Sequence, residues 1–127
     1  MPEQLEIAAH SVLTVLGVWL GMTVLVQSRT GPGRLFSFLS LMIATWSAAV
    51  LIDRLTSDPA VTHAVRVAEE ITLSLAIAAV AHITVAVGSP RRTSRQRTAI
   101  VLAYALNLLV ALPAILDPDR PIRLNAP

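Results

Sequence analysis

Residues 5–26 read LEIAAHSVLTVLGVWLGMTVLV, with a single carboxylate, Glu6, at the head of the run. At 1.5 Å per residue a helix of this length covers about 30 Å, the hydrocarbon thickness of a bilayer. A bilayer offers no water to unpaired backbone groups, so the run is helical if it lies in one. The flank before it, MPEQLE, is acidic rather than basic. The apolar run also exceeds the length usual in a cleaved leader, so it is read as a retained span.

Three further runs follow at residues 35–55, 67–87 and 98–116, each of about 19 to 22 residues. Breakers separate them: RTGPGR at 29–34, SDP at 57–59, GSP at 88–90 and DPD at 117–119. Ser57 or Asp58 can cap a short interfacial helix that leads into the third span. Residues 120–127, with Pro121 and Pro127, read as an irregular tail. Composition agrees, with 54% hydrophobic and 14% charged residues and a mean hydropathy of +0.67. The expected fold is a single all-α domain, an integral membrane bundle of four transmembrane helices in up-down topology.

Four crossings sort the charges. The connections after the first and third spans hold Arg29, Arg34, Arg91, Arg92, Arg95 and Arg97 without an acid. The opposite side holds Arg54, Arg66, Arg120 and Arg123 with Glu3, Glu6, Asp53, Asp58, Glu69, Glu70, Asp117 and Asp119. Basic residues of short loops favour the cytoplasm, so both termini are expected outside, and the location expected is a bacterial cytoplasmic membrane. All ten basic residues are arginine, a usage suggesting a GC-rich bacterial genome. The net charge is only +2, so the basic SPRRTSRQR segment at 89–97 argues for topology and lipid headgroup contact through Arg91, Arg92, Arg95 and Arg97, not for nucleic acid.

The apolar spans carry few polar groups. His10, Thr14, Gly17 and Gly21 fall on one face of the first helix, and Gly17 with Gly21 makes a GxxxG. That face suits packing inside the chain or, alternatively, a homodimer seam. Ser40, Ala44 and Ala48 repeat small residues along the second helix, and Glu70, Ser74, Ala78 and His82 form a stripe on the third. Glu70, Ser74, His82 and Asn107 are the ligand- or partner-binding candidates, and Asn107 can bond across helices. Thr14, Gly17, Gly21, Ser40, Ala44, Ala48 and Ala78 are the packing candidates. Glu69 and Glu70 are read as an interfacial first turn favoured by the helix dipole, His63 as part of the outer loop, and Trp19 and Trp46 as core fillers.

No cysteine is present, which excludes disulfides, thiolate nucleophiles and Cys-ligated metals. His10 and His82 lie at different depths, which argues against a bis-histidine haem. His63 with Asp53, Asp58 or Glu69 shows no metal-motif spacing. No nucleophile motif, phosphate loop or GxGxxG occurs, so no enzyme activity, cofactor or metal is expected.

LFSFLSLMIATWS at 35–47 and AHITVAVG at 81–88, joined by a short acidic connection, resemble the N-terminal seven-helix sensor region of bacterial membrane histidine kinases. Ile83 and Val87 depart from it, since members usually carry aromatics there. The likeness implies an outside N-terminus and a signal-input role. With four spans the tail is outside, so a cytoplasmic output domain attached to it would need another crossing. The leading expectation is a non-catalytic signal-input or partner-binding module working through helix contacts. Its partners would be the bilayer and other transmembrane helices, in a homo-oligomer or a larger complex. The alternatives are a small accessory subunit of a membrane complex and a small four-span transporter acting as a dimer.

Overall fold

A computed structural model describes residues 2–88 and 93–116, apart from the side chain of Ala114. Expectations for Arg91 and Arg92, for the GSP stop beyond Gly88 and for residues 117–127 lie outside these residues. The chain is four helices, α1 Pro2–Gln27, α2 Gly31–Leu55, α3 Pro59–Gly88 and α4 Ser94–Leu116. All four are long and apolar enough to cross a membrane.

The helices start where capping chemistry is available, not where hydrophobicity begins. Thr30 is extended and its hydroxyl accepts from Gly33 N at 3.2 Å, with proline in the first turn of α2. Asp58 Oδ1 accepts from Ala60 N at 2.9 Å, so α3 opens at Pro59. Thr93 Oγ1 accepts from Gln96 N at 3.3 Å, while Gln96 Oε1 accepts from Thr93 N at 3.0 Å, a reciprocal capping box. The early start of α3 corrects two expectations. His63 lies in α3 and not in a loop. Glu69 and Glu70 sit about 15 Å beyond the helix start, past the reach of its dipole.

The α1–α2 turn is tight. A Cβ on Gly33 would overlap Ser28 Oγ and lie 2.6 Å from Ser28 Cβ. Gly33→Ala is therefore expected to force the turn open and lower hairpin stability by about 1–3 kcal/mol, read as an earlier unfolding midpoint in detergent titration. A midpoint unchanged from wild type would show that the turn has room.

Helices pack only with their chain neighbours: α1 on α2, α2 on α3, α3 on α4. The bundle is thus an open row with α1 and α4 at its edges. Of the most apolar stretch of each helix, 28% is buried in α2 and α3 but only 6% in α1 and α4. Large apolar side chains such as Val26 and Val110 are almost fully exposed, a surface suited to lipid.

The α1–α2 seam is built from small residues. A Cβ on Gly17 would stand 2.9 Å from Ala44 Cβ and 3.1 Å from Ser40 O; one on Gly21 would stand 2.8 Å from Leu41 Cγ. Opposite them Ser37, Ser40, Ala44 and Ser47 are buried. The Ser37 hydroxyl donates to Gly21 O, and Ser47 Oγ donates to His10 O at 2.9 Å. Pairs 6 with 54, 10 with 47 and 21 with 37 run in opposite order, so the two helices are antiparallel. Ala48 lies off this seam and lines a groove of about 540 Å³ between α2 and α3. Trp19 is 64% exposed, contrary to its reading as core. It stands two residues past Gly17, about 200° around the helix, and so points away from α2.

Candidate functional site

The α3–α4 interface carries a side-chain polar contact between helices. His82 Nδ1 and Tyr104 Oη are 3.2 Å apart, and their rings meet edge to face with centroids at 5.8 Å. Both side chains are half-buried. Ser74 and Ala78 lie about two turns and one turn before His82 on α3, and both are buried, Ala78 completely. Glu70 continues that stripe toward the helix start and is half-buried. On α4 the least exposed positions are Ile100, Ala103, Tyr104, Asn107 and Ala111, spaced by three and four residues. This is the periodicity of a helix face resting on one neighbour.

Of the four binding candidates, His82 meets a polar group of α4 and Asn107 lies on the α4 face turned to α3, whereas Ser74 and Glu70 are rotated about 80° and 120° from His82 around α3, since each step of four turns about 40°. The Asn107 amide is turned back on its own helix, with Nδ2 donating to Ala103 O at 2.7 Å. The expected cross-helix bond from its amide nitrogen is replaced by this local one, because a carbonyl four residues back is always within reach in a helix. Tyr104 is the member that sequence reasoning missed. The available signal was its place three residues before Asn107, on the same face.

A second polar point lies in the α1–α2 seam. His10 Nδ1 is 2.9 Å from Ser47 Oγ, and the His10 ring meets Trp46 edge to face with centroids at 5.4 Å. With the Ser47 proton directed to His10 O, the imidazole must supply the proton shared with Ser47 Oγ, which places it on Nδ1. Thr14 Oγ1 also donates to His10 O, at 2.7 Å, so its hydroxyl serves its own helix while the residue stays on the seam face. His10 and His82 are held by different helix pairs.

Charges concentrate at the opposite end from the α1–α2 turn. Arg54 Nη2 donates to Glu6 Oε1 at 2.9 Å, with both side chains about half exposed. In water such a pair contributes about 0–1 kcal/mol. Glu69 Oε1 is buried without a hydrogen-bond partner among the described residues. Asp53, Arg66, Glu70 and Arg54 are the charges close enough to act on it. No three His, Asp or Glu side chains among the described residues come together as a metal-binding group. Arg95 and Arg97 are exposed in the first turn of α4.

No family model, curated protein or solved structure matches this chain.

Proposed function

We propose that the chain is a non-catalytic module of a bacterial cytoplasmic membrane, of signal-input or partner-binding type, with both termini outside and its arginine-rich turns in the cytoplasm. The observation that carries the reading is the α3–α4 seam. An edge helix with one neighbour is held there by small residues and one cross-helix polar contact, His82 with Tyr104. Polar contacts between membrane helices are worth about 0.6 kcal/mol on average. A ligand or partner helix that competes for this pair can therefore move α4 between two packings separated by a small free energy. The resemblance of residues 35–47 and 81–88 to a kinase sensor region points the same way. The accessory-subunit reading draws on the open row, whose edge helices α1 and α4 each leave most of their surface for other helices.

The chain has no cysteine, so Val87→Cys and Val101→Cys can carry spin labels without background. Both positions are exposed. In lipid nanodiscs the labelled chain is expected to show two inter-label distances, and Tyr104→Phe is expected to change their ratio about threefold, equivalent to about 0.6 kcal/mol. A single distance, identical in the Tyr104→Phe chain, would sink the two-packing mechanism and leave the accessory-subunit reading.

A further inference from the structure

One end of the row is purely cationic. The antiparallel α1–α2 pair puts the α1–α2 turn at the same end as the start of α2. The His82–Tyr104 contact, six residues before the end of α3 and ten after the start of α4, puts the start of α4 at the end where α3 stops. Because α2 and α3 join through the short turn 56–58 at the other end, the starts of α2 and α4 share one end of the row. Arg29, Arg34, Arg95 and Arg97 lie there, all exposed. None of them is in an ion pair among the described residues; the one such pair, Arg54 with Glu6, belongs to the opposite end.

Among the described residues no acidic side chain lies at this end. Measured along α3, Glu70 is 18 residues before Gly88, about 27 Å away. That is roughly three screening lengths at physiological salt, about 8 Å each. The ends of α1 and α3 at this level, about half a negative charge each, offset the similar positive charge of the two helix starts, so the field is that of the arginines. The caps of those starts, Thr30 and the Thr93–Gln96 box, are neutral where many helices place an acid. Phe36 is 41% exposed in the second turn of α2, two residues after Arg34. An aromatic ring at that level fits the boundary between acyl chains and headgroups.

We propose that this end is a binding surface for anionic glycerophospholipid headgroups, with Arg29 and Arg34 holding a phosphate at the start of α2 and Arg95 and Arg97 holding another at the start of α4. The shared chemistry is a phosphate monoanion on a glycerol backbone, and the source is the membrane leaflet. Each site would take its own lipid, one fixing the level of the α1–α2 turn and the other the level of the start of the edge helix α4 at the headgroup boundary.

Arginine removal can also invert a membrane protein, so the test uses the purified full chain in symmetric nanodiscs, where orientation has no effect on the lipid presented. Nanodiscs contain phosphatidylcholine doped with phosphatidylglycerol, and lipids retained by the chain are counted by native mass spectrometry. Phosphatidylglycerol is expected to be retained over phosphatidylcholine, with the preference falling about fivefold for each of Arg29→Gln, Arg34→Gln, Arg95→Gln and Arg97→Gln. The fourfold Arg→Lys chain is expected to keep most of the preference, which separates lost charge from lost folding. Arg66→Gln, at the acidic end, is expected to keep all of it. Equal retention of the two lipids, an undiminished preference in the Gln chains, or an equal loss in Arg66→Gln would overturn the proposal. So would full displacement by millimolar glycerol phosphate, which would indicate a site for a soluble phosphate.

Discussion

Gly17→Ala is expected to destabilise the α1–α2 hairpin by about 1–2 kcal/mol, whereas Gly21→Ala is expected to be close to neutral. Both positions face α2, and the difference lies in what each new methyl meets. At Gly17 the added Cβ would be 2.9 Å from Ala44 Cβ and 3.1 Å from the Ser40 carbonyl, groups fixed to the α2 backbone. Relief requires the helices to separate, and overpacking of this kind costs about 1–3 kcal/mol. At Gly21 the closest atoms are Leu41 Cγ and Cδ2, at 2.8 and 3.0 Å, in a side chain that can change rotamer, and the fixed Ser37 carbonyl stands farther off, at 3.3 Å. Against both stands the gain of about 1 kcal/mol from replacing glycine within a helix. Gly17→Leu cannot be accommodated without opening the seam, and with it the His10–Ser47 contacts. The measurement is the midpoint of detergent-induced unfolding, with Gly21→Ala as the matched control. If Gly17→Ala unfolds like wild type but loses a cross-linked dimer, the GxxxG serves a second copy and not α2.

The same seam shows what could be read from residues alone. In α1 the positions 10, 14, 17 and 21 are spaced by four, three and four, the rhythm of a face that stays turned toward one partner. In α2 the matching rhythm is 37, 40, 44 and 47. Selecting Ser40, Ala44 and Ala48 instead follows steps of four, each of which rotates about 40° around the helix, so Ala48 drifts to the α3 groove. Ser37 and Ser47, the side chains that bridge to α1, were the ones passed over. The spans themselves were legible because a membrane helix must be apolar along its whole length. Their starts follow caps and not hydropathy: Asp58 was one of the two caps expected for a helix leading into the third span, and from it Pro59, His63 and Arg66 extend α3 beyond its apolar run, to 30 residues. Hydropathy has no reason to detect a turn that leaves the hydrocarbon. The steps of four from Glu70 to Ala78 carry the same drift around α3, so of that stripe the residue that proves to meet a polar group of α4 is His82. Its partner Tyr104 could be recognised only once the face of α4 opposite it was known.

Alkaline phosphatase fused after Asp117 is expected to be active, and the same enzyme fused after Thr30 inactive, because the first fusion point is proposed outside and the second inside. The argument is one of counting and position. Six arginines flank the side proposed to be cytoplasmic, with no acid, against four on the other side, where all eight acids also lie. Of the six, Arg29 lies between helices, and Arg34, Arg95 and Arg97 lie in the first turns of α2 and α4, within reach of the interface that sets orientation. Outside, Arg54 is held to Glu6 at 2.9 Å. Since orientation follows basic residues and largely ignores acids, the decisive contrast is six against four, reversed when the six become glutamine. That chain is expected to lose at least about tenfold of the Asp117 fusion activity and to gain activity at Thr30. An active Thr30 fusion in the native chain would instead put the arginine end outside, where the phosphate-binding surface would face the other leaflet.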